Sequence, residues 1–220
     1  MPAPKARLVG AAIPAAGRTI QRRLFAPGLA AAAAYVAVAV LWPSAPHGRM
    51  LYDGLTPQPP YRWVRPPAGR AGDNEQPQPY ATFVPLTGAG SAPAEFATDD
   101  LQATLTLPAN VVAPRAGETK ARVTLTPLDP TALAPPPSGR RFDGNAYRLD
   151  VVYDASGAPV KLAGPVTVVL RYAVHATTIL RLDSVDNKPA WVRVPTTVFT
   201  GSQEDLAHSD RLGVFVASNP

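Results

Sequence analysis

Nineteen consecutive residues, Leu24 to Trp42, carry no charge (LFAPGLAAAAAYVAVAVLW). As an α-helix rising ~1.5 Å per residue, such a run reaches roughly 28 Å, about one bilayer hydrocarbon core. Pro27 falls in the first turn, where its missing N–H costs little. Trp42 sits at interfacial depth and Pro43 stops the helix. Ala30 to Ala34 inserts only marginally; Leu24, Tyr35, Leu41 and the interleaved valines supply the membrane affinity. The reading adopted is one transmembrane α-helix over residues 24–42. A cleaved signal peptide and a buried Ala-rich soluble helix compete with it. Cleavage at Ala37-Val38-Ala39 would cut inside the apolar run, and the Ser44-Ala45 site is flanked by Pro43 and Pro46.

Charge distribution orients the segment. Residues 1–23 hold Lys5, Arg7, Arg18, Arg22 and Arg23 and no acid, which accounts for the whole net charge of +5. A pI near 9.7 would suggest nucleic-acid binding if the cations formed a face on a folded domain. In a short arm before an apolar run they instead predict a cytoplasmic N-terminus, with residues 43–220 outside. The next charge after the run is Arg49. The absence of cysteine excludes a disulfide scaffold, a Cys-ligated zinc site, an Fe–S cluster and a thiol nucleophile. The bias toward Ala, Pro and Arg matches a high-GC bacterial chain.

Residues 43–94 include eleven prolines, which remove backbone donors and predict a polyproline or coil stalk. Within it, Leu51 to Pro67 (LYDGLTPQPPYRWVRPP) gathers aromatic residues among prolines and arginines. Tyr61, Arg62 and Trp63 are candidate contacts. Three roles stay open for this element: resting on lipid headgroups, docking a partner with an aromatic groove, or packing on the protein's own domain. Gly69 to Ser91 reads as plain linker.

From about Glu95 the pattern becomes β. Leu101, Ala103, Leu105 and Leu107 alternate with Gln102, Thr104 and Thr106. Val123 and Leu125 repeat it, as do Tyr147, Leu149, Val151 and Tyr153, and then Val166, Val168, Leu170 and Tyr172. Asp186-Asn187-Lys188-Pro189 predicts a hairpin between two further strands. Around Trp191 the expected register turns Val192 and Val194 inward, with Trp191 partly covered at an edge. Residues 95–220 are therefore expected to be all-β, an antiparallel β-sandwich. Val111–Lys120 and Thr131–Phe142 read as loops. The second is expected to be a mobile tip whose Arg140 and Arg141 suit an anionic partner. With 12 basic and 13 acidic residues, this domain gives no steering toward nucleic acid.

The order of LTLPANVV, GNAYRLDVVY, GPVTVVLRY, PAWVRVPTTVFTG and HSDRLGVFVA over residues 95–217 resembles the ZU5-like sandwich layout. The resemblance implies a two-sheet fold with a final strand after a His/Ser corner. Some members of that family self-cleave at a His-Phe-Ser corner. Here the corner reads Ala207-His208-Ser209-Asp210 and lacks the Phe.

Catalytic candidates are few. His208, Ser209 and Asp210 are adjacent, so strand geometry turns neighbours to opposite faces and opposes a triad. Asp183, Asp186 and Asn187, or Asp99 and Asp100, offer oxygens to Ca²⁺ without the ligand count of a binding loop. No phosphate loop, dinucleotide fingerprint or zinc-protease motif occurs. No catalytic residue, metal ligand or cofactor is assigned. The expected function is a membrane-anchored extracytoplasmic binding or structural module. Its expected partners are membrane lipid and a protein or anionic cell-envelope polymer, with no nucleic acid. The alternative is an accessory subunit of a membrane complex, and an extracytoplasmic hydrolase comes after both.

Overall fold

The computed structural model describes residues 58–220. The chain divides between Gln58 and Pro59 into two units, and the second, Pro59–Pro220, is the folded part treated below. The anchor residues Leu24, Tyr35, Leu41 and Trp42 lie outside the described residues, as does the first part of the expected stalk, residues 43–57.

The fold is all-β and sandwich-like, with two antiparallel sheets. The strands are β1 (Tyr80–Thr87), β2 (Gly90–Ser91), β3 (Ala94–Ala97), β4 (Ala103–Leu107), β5 (Lys120–Leu128) and β6 (Arg141–Tyr153). They continue as β7 (Val166–Arg171), β8 (Thr178–Val185), β9 (Lys188–Val194), β10 (Thr196–Phe199), β11 (Glu204–Ser209) and β12 (Gly213–Asn219). One sheet runs β2-β1-β5-β6-β12-β8-β9 and the other β10-β11-β7-β4-β3. Inward residues of both form one core. Val123, Leu125, Leu149, Val151, Ile179 and Phe215 come from the first, and Leu105, Leu107, Val166, Val168 and Leu170 from the second. Each such side chain contributes on the order of 1.5–3 kcal/mol by leaving water. The period-two patterns of β5, β6 and β7 lie inward as the sequence predicts. The β8–β9 turn places Asp186 at φ 49° and Asn187 at φ 59°, the geometry of a two-residue I′ hairpin.

Four expectations are corrected. Gly69–Ser91 is not plain linker: it contains β1 and β2, and the folded unit begins at Pro59 rather than near residue 95. Proline density hid the alternation Tyr80, Thr82, Val84 and Leu86 of β1. Pro85 is tolerated because Leu86 donates to the Thr119 carbonyl (2.8 Å). The alternate nitrogen, that of Pro85, then turns away from β5, where no ladder bond is lost.

Leu101 does not lie in a strand. It is 57% exposed at φ 55°, in the turn before β4, while Gln102 is fully buried. The Thr98 hydroxyl accepts from the amides of Gln102 and Ala103 (both 3.1 Å) and donates to Asp100 (2.7 Å). These local side-chain bonds turn the backbone and override the hydrophobic pattern.

At β9 the expected register is right for Val194, which enters the main core, and wrong for its neighbours. Val192 is exposed and Trp191 is buried on the outer face of its sheet with Ala134, Ala146, Leu180, Val214 and Val216. The Trp191 indole donates to the Ala134 carbonyl (3.1 Å). The Thr131–Phe142 segment is therefore a cover rather than a free tip: Leu133, Ala134 and Phe142 pack over that second cluster.

Arg181 crosses between the sheets. It is bidentate to Asp183 (2.9 Å for both bonds) and donates to Ser209 Oγ (2.9 Å) and Asp210 (3.2 Å). A buried guanidinium needs such a full set of acceptors.

Candidate functional site

The sequence from Pro59 to Glu75 has no strand or helix, yet it is bonded to the sandwich at named points. We call it the strap. Its anchor is Asn145 on β6, only 4% exposed. The Asn145 amide oxygen accepts from the Val64 amide (2.9 Å), and its nitrogen donates to the Arg62 carbonyl (2.7 Å) and to Gln102 Oε1 (3.1 Å). A backbone donor and a backbone acceptor thus fix the amide's orientation. Gln102 Oε1 also accepts from the Tyr147 hydroxyl (2.8 Å). The Asn145 backbone N–H donates to the Tyr61 hydroxyl (2.9 Å), and Arg171 donates to the Pro59 carbonyl (2.7 Å). Its guanidinium lies 5.9 Å from the centre of the Tyr61 ring. Burial pushes the Tyr61 and Tyr147 phenols above their ordinary range, and both stay neutral.

Gly144 makes this approach possible. Its φ of +107° suits glycine, and a Cβ there would lie 2.8 Å from Tyr61 Cζ. Gly144→Ala should therefore lower the unfolding free energy by about 2 kcal/mol, read by denaturant titration, and raise proteolysis within residues 59–75. A loss below about 0.5 kcal/mol would mean that the Tyr61 contact is dispensable.

Further along the strap, the Trp63 amide donates to Asn74 Oδ1 (2.8 Å) and Asn74 donates back to the Trp63 carbonyl (2.9 Å). This reciprocal pair closes the segment into a loop. Gly69 turns it at φ +88°, with Arg70 N–H bonding the Pro67 carbonyl (3.1 Å), a type II turn. The Tyr61 and Trp63 rings sit 4.8 Å apart, tilted by 55°. Arg62 pairs with Glu75. A cavity of about 250 Å³ opens over Tyr61 and Trp63, walled by Pro60, Arg70, Asp73 and Asn74. A second, of about 230 Å³, shares Pro60, Tyr61 and Asp73 and is flanked by Arg62 and Glu75.

Of the predicted contacts, Tyr61, Arg62 and Trp63 are brought together in this cleft. Of the three roles open for Leu51–Pro67, the part from Pro59 onward takes the third: it packs on the protein's own domain. Arg140 and Arg141 stand elsewhere, at the start of β6, and no hydrogen bond or ion pair joins them to the strap among the described residues. Sequence reasoning missed Asn145, Gln102, Gly144 and Arg171, whose role depends on long-range placement. It also missed Arg70, Asp73 and Asn74, which it took for linker. The signal available was the aromatic content of residues 61–63.

The His208-Ser209-Asp210 run has a structural role. His208 faces outward beside Thr167 (3.1 Å), and Ser209 faces inward, accepting from Arg181 and donating to the Arg211 carbonyl (2.7 Å). Two adjacent strand residues on opposite faces cannot act as base and nucleophile. Asp183 is held by Arg181, Asp100 by its turn, and no group of three metal-ligating side chains occurs among the described residues.

Close to the strap's attachment lies a second polar group. Asp143 on β6 accepts the backbone N–H groups of Ala173 (3.1 Å), Val174 (3.0 Å) and His175. Asp205 on β11 is fully buried, and neither carboxylate oxygen has a hydrogen-bond partner among the described residues. Burial first, and the neighbouring Asp143 charge second, push its pKa up to about 6, against an opposing influence from His175. No protein-family model matches the chain, and no curated protein sequence matches it.

Proposed function

We propose that this chain is a single-pass, membrane-anchored binding module whose sandwich stands outside the cytoplasm and whose working surface is the strap cleft. The observation that carries the reading is the construction of residues 59–75. A passive spacer has no need of a buried asparagine, a close-approach glycine and a reciprocal Asn74–Trp63 pair. Here they hold two aromatic rings and four charged side chains around a concave opening. Concave sites with aromatic walls and a few convergent polar groups are the usual form of ligand sites. The uncharged Leu24–Trp42 run behind a purely basic arm supports the anchoring and the orientation. On this reading the sandwich is ZU5-like in strand order and not self-cleaving, and the protein has no catalytic role.

A second reading, an accessory subunit of a membrane complex, draws on the same aromatic element and places a protein partner in the cleft. Topology is tested on the full chain carrying a C-terminal epitope. Protease added outside intact cells should remove the epitope and leave a short protected N-terminal fragment. Recovery of the full-length protein from the soluble cytoplasmic fraction would overturn the anchored reading.

A further inference from the structure

Resting on the reading of the strap cleft as a binding site, we propose that its ligand is a neutral oligosaccharide, held through two consecutive sugar rings. Three observations carry this. The first is the paired opening. Cavities of about 250 and 230 Å³ lie side by side and share the wall Pro60, Tyr61 and Asp73. Each falls below the size usual for a drug-like ligand, and two similar neighbours suit two units of a repeating chain.

The second is the floor. A pyranose has an apolar face of C–H bonds and a rim of hydroxyls. The tilted Tyr61 and Trp63 rings offer the electron-rich surface that such a face packs on. The Trp63 indole N–H is shielded from solvent and donates to no described residue. A buried donor left so costs on the order of 1–3 kcal/mol. A phenyl ring would avoid that cost, whereas the indole widens the aromatic surface that lines the first cavity.

The third is the charge of the rim. Arg62 and Glu75 neutralise each other. Arg70 and Asp73 remain, one cation and one anion, lining the first cavity without a side-chain partner among the described residues. An anionic ligand would meet Asp73 and a cationic one Arg70. A neutral polyol satisfies both, donating hydroxyls to the carboxylate and accepting from the guanidinium. A peptide that adds as a strand finds no edge here, because no residue lining either cavity belongs to a strand.

The test uses the full chain in detergent, titrated calorimetrically with the tetrasaccharides of β-1,4-linked glucose and of β-1,4-linked N-acetylglucosamine. A proline-rich decapeptide and polyglutamate are the comparison probes. At least one tetrasaccharide should bind saturably, at least tenfold more tightly than its monosaccharide, and with little dependence on salt. Asp73→Ala, at an exposed position, and Trp63→Phe should each weaken binding at least tenfold, the first leaving the melting temperature unchanged and the second not lowering it. No saturable binding of either tetrasaccharide, binding indifferent to both substitutions, or binding of the decapeptide or polyglutamate instead would overturn the proposal. Co-purification of an envelope component that is lost in Asp73→Ala, with neither tetrasaccharide bound, would overturn the saccharide assignment and leave the binding-module reading standing.

Discussion

Replacing Asn145 with alanine should lower the unfolding free energy by about 3 kcal/mol, at the upper end for one polar side chain. The side chain makes three hydrogen bonds, two of them to the strap backbone. Alanine removes all three at once. The Val64 amide and the Arg62 carbonyl lose their partners while half-buried, and each such group costs roughly 1–3 kcal/mol when water cannot replace the bond. Gln102 Oε1 keeps only its bond from the Tyr147 hydroxyl. Urea titration measures the loss. Limited proteolysis should show cleavage inside residues 59–75 well before the sandwich is cut. Arg65→Ala is the matched control, because its bonds to Asp129 (3.5 Å) and Thr131 (3.3 Å) are exposed and should matter by less than about 0.5 kcal/mol. Similar effects for both substitutions would show that Asn145 does not fasten the strap.

Asp205→Asn should have the opposite sign, raising stability at pH 8 by up to about 3 kcal/mol and leaving it nearly unchanged at pH 4. Asp205 has a folded pKa of about 6 against an ordinary value of 3.8. The folded state therefore holds the proton more tightly than the unfolded chain does. That preference stabilises the fold fully below the unfolded value and disappears as pH rises through the folded one. The wild-type protein should lose stability between about pH 4 and 6 from this group, and the asparagine variant should not. The cause is physical rather than sequential. A carboxylate facing inward on β11 beside Leu170 and near Tyr172 has no donor to accept from among the described residues, and Asp143, whose charge acts on it, already takes three amides. Denaturant midpoints across pH 4 to 8 for both proteins test this. Parallel pH profiles would show that the charge is accommodated in the fold.

A buried acid of this kind is a standing cost that a purely structural sandwich would shed by substitution. It lies at the end of the fold where Asp143, Arg171 and the strap also meet, so the same end holds a buried, unpaired acid and the strap cleft. The arrangement fits the observation that binding sites keep polar groups which stability alone would not select.

Local patterning alone determined the fold class and most inward faces. Tyr147, Leu149, Val151 and Tyr153 on β6, and Val166, Val168 and Leu170 on β7, are buried as their alternation requires. The reason is that a strand's two-residue period writes its buried face directly into adjacent positions. The Asp186–Asn187 hairpin was legible for a similar cause, since its turn geometry depends on the turn residues themselves. Aromatic residues at 61 and 63 marked the strap as more than spacer. They did not say what it rests on.

Tertiary structure decided the remainder. Proline content made residues 69–91 look like linker, because a strand containing Pro85 becomes acceptable only once its nitrogen is known to face away from β5. Trp191 is buried on the outer face because the Thr131–Phe142 segment folds back over it, a contact across 57 residues of sequence. Asn145 fastens a strap more than 80 residues earlier, and nothing in GNAYRL distinguishes that asparagine from a surface one. Buried polar groups are legible only after their partners are placed, since the free energy that keeps them lies in the pairing and not in the residue.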